Sequence, residues 1–469
     1  MTQKQLSRRD FLRLTGVTAA GFAAAACATP TATQSPTSAP VPVPATSAPA
    51  ATAIPPTAAP TARPVVNADW WTVAGADVGN KADQEAMLDE YLKSPSGAWA
   101  KIKATFLPDD GFSEKMTTVL GTGSGAPDVT TFWTADWFPA AVDLRERIAK
   151  DKVDINMYSK VHFDSRCRFG EQIIGLPIGV GATMNFYNKT LFEKAGLKEP
   201  QWGYTLQQYL QDAVKMTDKS KKIFGAAMPT RVWRGEFFAF GARPFSDDGK
   251  KVDGFMNGPK TVKAFEFISD LARSGSVPTA AEFEVIKTEG TGPLDLFNTG
   301  RLGFAGLNNG QFLLVDKAGV KFGLGHNPKV DGEDIITNGW TLQIGIPKAS
   351  KNQDAAWEYL KWFTGAPGQS FLMKRNNGFT PTIPSLWKDH PAANDERVKF
   401  FFEILKTKQI WEFSGQFPYF AKVTRLNQDL FDGIYLNKIK RADIKSELDK
   451  VVPAAQKIVD EERAKLGLK

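Results

Sequence analysis

Cysteine and histidine are nearly absent from this chain of 469 residues, which holds only Cys27 and Cys167, and His162, His326 and His390. Two cysteines allow at most one disulfide, and the histidines fall in no H-E-x-x-H or other metal-ligand spacing. C-x-x-C, G-x-S-x-G and P-loop motifs are missing too, which removes the common redox, acyl-transfer and nucleotide signatures. No apolar run reaches the roughly 18 residues of a membrane-spanning helix. Charge is missing locally: from Cys27 to Asn67 the chain is almost wholly Ala, Pro, Thr and Ser, with Arg63 as its only charge. Such a stretch has no apolar face to offset the entropy of ordering it, and residues 27–66 read as a disordered, partly extended tether.

What precedes the tether is more specific. Ser7-Arg8-Arg9-Asp10-Phe11-Leu12, a Gly- and Ala-rich run, and Ala24-Ala25-Ala26-Cys27 follow the order of a twin-arginine export signal closed by a lipoprotein processing site. An amphipathic N-terminal helix would need neither paired arginines nor a terminal cysteine. Cleavage before Cys27 removes residues 1–26 and leaves a lipid-bearing end on the extracytoplasmic face of the cell envelope. Cys167 is then the remaining thiol, and the body must be held by its core, with length enough for two domains. The net charge of +7 drops to +4 without the signal, with the signs interspersed. No basic arm or binding motif accompanies it, so no nucleic-acid partner is expected.

Along the body, Asp69–Val73, Ile102–Phe106 and Val129–Trp133 read as strands. Helices between them carry Ala86, Met87, Tyr91 and Leu92, then Phe112, Met116, Val119 and Leu120, each set on one face. That alternation predicts an α/β fold with a parallel sheet and crossover helices. Ligands gather at the carboxyl ends of such strands, where Trp71 and Trp133 fall. Trp357 with Leu360 fits a packing face, and Trp362 reads as surface cover.

Four segments in order carry a resemblance: Ser124–Val129, Gly175–Ile178 with Met184–Phe192, Gly300–Phe304, and Ala355–Phe363. In these the chain resembles the extracellular solute-binding proteins of ABC importers, the family that includes maltose-binding protein. The resemblance spans about Ala68 to Lys469. It implies two α/β lobes in the periplasmic-binding-protein manner, joined by a multi-crossover hinge with a ligand cleft between. Lobe one would hold 67–178 and 330–377, lobe two 179–329 and 378–469, with the hinge near Pro177, Pro328 and Gly378.

The same resemblance nominates site residues. Trp133 and Asp136 match a family segment whose Trp and Asp contact sugar, and Trp137 replaces a basic residue there, making an aromatic rim. An indole offers flat apolar area to a pyranose, and a carboxylate accepts from its hydroxyls. The alternative is a core Trp with a helix-capping Asp. Asn338, Gly339 and Trp340 sit where the chain returns to lobe one, with a donor and acceptor, a bare backbone and a stacking face together. Trp233 and Tyr419 fall near segments that give aromatic contacts in the family, and Asn308 and Asn309 follow the Phe304 strand, where a plain Asx turn is the alternative. Gly181, near Gly179, stands where the family's maltose binder carries a carboxylate, so the maltose-specific pattern is incomplete.

The implied function is a monomeric substrate-binding protein, lipid-anchored through Cys27, that delivers a sugar or oligosaccharide to separate ABC permease subunits. No cofactor, metal or catalytic residue is expected, since ATP is hydrolysed by another subunit. Polyamine, phosphodiester or peptide cargo is the alternative, and Arg231, Arg234 and Arg243 keep an anionic or acidic-sugar ligand open. An exported glycan hydrolase, with paired carboxylates invisible in sequence, and a surface adhesion protein are the rival classes.

Overall fold

Apolar and polar residues alternate along Val66–Val73, and its inward side chains, Ala68 and Trp70, are buried. The computed structural model describes residues 63–73, 79–108, 111–229, 233, 236–288, 292–375, 378–411 and 417–467; the export signal, Cys27 and the tether up to residue 62 lie outside them. Strands run in chain order as β1 (Val66–Val73), β2 (Ala100–Leu107), β3 (Val129–Thr131), β4 (Arg168–Phe169), β5 (Gln172–Ile173), β6 (Leu176–Asn188), β7 (Phe224–Ala226), β8 (Leu302–Asn308), β9 (Phe322–Gly325), β10 (Ile336–Gly345) and β11 (Lys408–Trp411). The main sheet has the order β2-β1-β3-β10-β6-β8-β7, with β9 beside β6 and β11 beside β10.

β1 lies parallel to β2 and β3, with helices Lys81–Leu92 and Phe112–Thr122 in the connections, as the sequence spacing predicts. The sheet as a whole is mixed, because β10 runs antiparallel to both β3 and β6. The first helix buries Gln84, Met87, Leu88 and Tyr91, a face turned slightly from the expected one: Ala86 and Leu92 sit at its margin. Helix Gln353–Thr364 buries Trp357 and Leu360, while Trp362 lies half-buried against Tyr91 at 5.5 Å.

Two sets of cores define two lobes. Lobe one packs Trp70, Ile102, Leu176, Ile344, Trp357 and Phe363, with a second cluster around Phe112, Phe132 and Phe138. Lobe two packs Tyr187, Phe265, Phe304, Phe431 and Leu448, with a second cluster around Met184, Phe186, Phe312 and Phe401. The long strands β6 and β10 pass from one lobe to the other. Ile178 still belongs to lobe one and Val180 to lobe two, so the first crossing is at Gly179. The later crossings differ from expectation. Val330 and Ile336 pack in lobe two and Leu342 and Ile344 in lobe one, which moves the second from Pro328 to about Thr337–Thr341. Phe379 and Ile383 pack in lobe one, so the third falls beyond Gly378.

Asp128 ties three segments of lobe one. Its carboxylate accepts from the Asp69 amide at 2.9 Å, Ser350 Oγ at 2.7 Å, and the Asn352 amide and Nδ2 at 3.2 and 3.0 Å. Burial pushes the carboxyl up, but these donors outweigh it and hold Asp128 below its ordinary value of 3.8. A depressed folded-state value stabilises above 3.8 and loses that contribution as pH falls through the folded value. Asp128→Asn is therefore expected to lose about 1–3 kcal/mol at pH 7 and to show a shallower further loss in acid, read by denaturant melts across pH. An unchanged acid limb would contradict this.

Candidate ligand-binding cleft

Cross-strand partners share a face, and the register pairs Trp340 with Gly181, Thr183 with Asn308, Asn185 with Gly306, and Tyr187 with Phe304. Along β6 the alternate residues Ala182, Met184 and Phe186 go into a lobe-two core. Gly181, Thr183 and Asn185 therefore form the other face, with Trp340 and Asn338 from β10 and Gly306 and Asn308 from β8. Gly306 is exposed, and Thr183, Asn308 and Trp340 are half-buried, so this face is open. Farther along it Tyr187, Phe304 and Ile336 close into the other lobe-two core.

Trp340 owes its position to a glycine. A Cβ at Gly181 would lie 2.3 Å from the Trp340 ring, so the indole rests on bare backbone. This explains the glycine where the resemblance led one to look for a carboxylate. At the deep end, Asn185 Nδ2 and Asn338 Oδ1 are buried with no hydrogen-bond partner among the described residues. Gly339 pairs with Ala182 on one side and Trp411 on the other.

Lobe one carries two of the nominated indoles. Trp71 is half-buried, its Nε1 donates to Asp69 Oδ2 at 2.9 Å, and Lys115 Nζ stands 4.5 Å from its ring centroid. Trp133 is half-buried with its ring 4.5 Å from Phe112, and its carbonyl accepts from Arg166. Gln343 Nε2 donates to the Phe132 carbonyl at 2.8 Å, which holds this segment against β10. Asp136 faces solvent in the 3₁₀ turn Ala135–Ala140. Partial desolvation raises its carboxyl above 3.8; Lys422 of lobe two opposes the shift and Glu462 of lobe two adds to it.

Three nominated residues turn away from this surface, and a fourth, Asn309, lines a small hinge cavity together with Trp340. Trp137 is buried, donating from Nε1 to Thr117 Oγ1 at 2.9 Å, so it extends the core instead of the rim. Trp233 is buried against Phe237 and Phe265, donates to Asn427 Oδ1 at 3.2 Å, and takes a left-handed φ of 61°. Tyr419 is fully buried, and its hydroxyl donates to the Gly249 carbonyl at 2.7 Å. Asn309 is buried in the hinge: its Nδ2 donates to the carbonyls of Val180 at 3.4 Å and Gly378 at 3.2 Å. Arg243 is ion-paired with Asp247, whereas Arg231 and Arg234 lie outside the described residues. The sequence reading missed Thr183, Asn185 and Gly306. The signal was there: Gly181, Thr183 and Asn185 repeat at period two inside an otherwise apolar strand.

Two α/β lobes linked by crossing strands are the architecture of a two-lobed solute-binding protein. The chain belongs to the bacterial extracellular solute-binding protein family, whose model matches residues 76–370. It is similar to the maltotriose-binding protein of Pyrococcus abyssi, 22% identical over 378 residues that cover 78% of this chain and 77% of that protein. An ABC substrate-binding protein of Listeria monocytogenes in complex with cycloalternan superposes with a TM-score of 0.69 at 18% identity, over 86% of this chain and 99% of that one. An ABC transporter solute-binding protein of Thermotoga lettingae bound with α-D-tagatose gives 0.67 at 19% identity, over 84% and 99%. At these identities the structures speak for the shared fold.

Proposed function

We propose that this protein captures a sugar or oligosaccharide outside the cytoplasm and delivers it to the permease subunits of an ABC importer, without catalysing a reaction. The observation that carries the reading is the floor itself: amide and hydroxyl side chains without a formal charge, beside an indole laid flat on Gly181. That combination suits a pyranose, whose hydroxyls exchange hydrogen bonds with amides and whose C–H face stacks on an aromatic ring. Cargo bridging Trp71 and Trp133 of lobe one to the floor would favour the closed form by its differential affinity for it.

The working protein is a monomer, exported by the twin-arginine route and held to the membrane by lipid on Cys27. The experiment is calorimetric titration of the mature chain, unfolded and refolded to strip carried-over ligand, against maltotriose, mannotriose, cycloalternan and tagatose. Saturable one-to-one binding of at least one is the expected result; no binding of any would count against the sugar reading. Anchoring has its own test. Cys27→Ala should shift the protein from the membrane to the soluble envelope fraction, and Arg8→Lys with Arg9→Lys should hold it in the cytoplasm. Unchanged fractionation in either variant would overturn that part.

A further inference from the structure

Asn185 and Asn338 are the two polar side chains of the floor that are almost wholly enclosed, at 5% and 4% exposure. Each carries one amide atom with no partner among the described residues: Nδ2 of Asn185, a donor, and Oδ1 of Asn338, an acceptor. They stand at a fork in the sheet. β10 leaves β6 after Gly339 pairs with Ala182, and by Asn185 the neighbours of β6 are Gly325 of β9 and Gly306 of β8. Register puts both asparagines on the face that also carries Thr183 and Trp340, and Gly306, the partner of Asn185 on β8, is exposed.

A buried polar atom left unmade costs stability, so two on one face call for a ligand that brings an acceptor and a donor together. A hydroxyl supplies both. A carboxylate or phosphate only accepts: it satisfies Asn185 and sets oxygen against the oxygen of Asn338. An ammonium only donates, and fails at Asn185 instead. We infer that Asn185 and Asn338 are a specificity-determining pair that reads a neutral hydroxyl at the deep end of the cleft and disfavours acidic and cationic cargo there. This rests on the carbohydrate reading of the cleft and selects among the cargo classes that the sequence left open, against polyamines, phosphodiesters and acidic sugars.

The test makes Asn185→Leu and Asn338→Leu in the mature chain, with Asn185→Ala and Asn338→Ala as partners that cannot overpack. Ligand-free melting temperature should stay level or rise with leucine, since each change removes an unpaired buried polar atom. Affinity for the tightest neutral sugar among maltotriose, mannotriose and cycloalternan should fall at least tenfold in all four variants. Trigalacturonate and the glucosamine trimer should bind the parent chain at least tenfold more weakly than that neutral sugar. Melting temperatures lowered in all four variants would make the amides structural and overturn the inference. So would parent-like affinity in the variants, or a charged trimer that binds tightest. A parent chain that binds no sugar defeats the carbohydrate reading itself, which separates that failure from variants that bind as well as the parent.

Discussion

Gly181→Ala should weaken sugar binding at least tenfold, although the change adds a single methyl group. The new Cβ would stand 2.3 Å from the Trp340 ring, inside any permitted contact, and a ring packed on a paired strand can yield only by leaving its place. Trp340→Ala removes the platform outright, and loss of a central aromatic anchor is expected to cost about 2–3 kcal/mol of binding, roughly 30- to 150-fold. Both variants should keep the parent's ligand-free melting temperature to within a few degrees, because Trp340 is half-buried and outside the four cores. Titration calorimetry of the two variants beside the parent gives the answer. Parent-like affinity in Trp340→Ala would remove Trp340 from the site.

The largest stability effect is expected at Gln369, which is fully buried where the first and third crossings meet. Its Nε2 donates to Thr382 Oγ1 at 2.7 Å and to the carbonyls of Pro177 at 3.1 Å and Thr364 at 2.5 Å, and its Oε1 accepts from the Thr382 amide at 2.7 Å. Leucine fills similar volume but removes the acceptor of the Thr382 amide and a donor to the Thr364 carbonyl in a closed environment, while the Pro177 carbonyl keeps the Thr382 hydroxyl at 3.3 Å. Gln369→Leu should cost about 3–4 kcal/mol in denaturant unfolding, near the upper end for a single buried polar change. The neighbouring lobe-two side of the hinge is held by Asn309, whose bonds to Val180 and Gly378 are independent of this network. A loss below 1 kcal/mol would mean that ordered water takes over the role of the amide.

Local periodicity made much of lobe one legible. Strands β1 and β2 and the helix that buries Trp357 and Leu360 lie where their apolar spacing places them, because each buries its face against near neighbours. β3 stops at Thr131, short of Trp133, since the chain turns there into the 3₁₀ segment. Aromatic side chains were less legible. Trp233 and Tyr419 are drawn inward by partners 194 and 170 residues away, Asn427 and Gly249, and no local pattern announces such a partner. Trp137 shows the same limit at short range, since Thr117 waits on the helix before it to take the indole N–H. The crossings shifted for a related reason: proline marks a break in the chain, whereas the lobe a residue joins is set by which core its side chain reaches.

The most direct measurement is a crystal structure of the mature chain with the sugar that binds it most tightly. A pyranose ring over Trp340, with a hydroxyl within hydrogen-bond distance of both Asn185 Nδ2 and Asn338 Oδ1 and a lobe-one indole on its other side, is the predicted result. A sugar bound away from the face formed by β6, β8 and β10, with both amides still unpaired, would contradict the account.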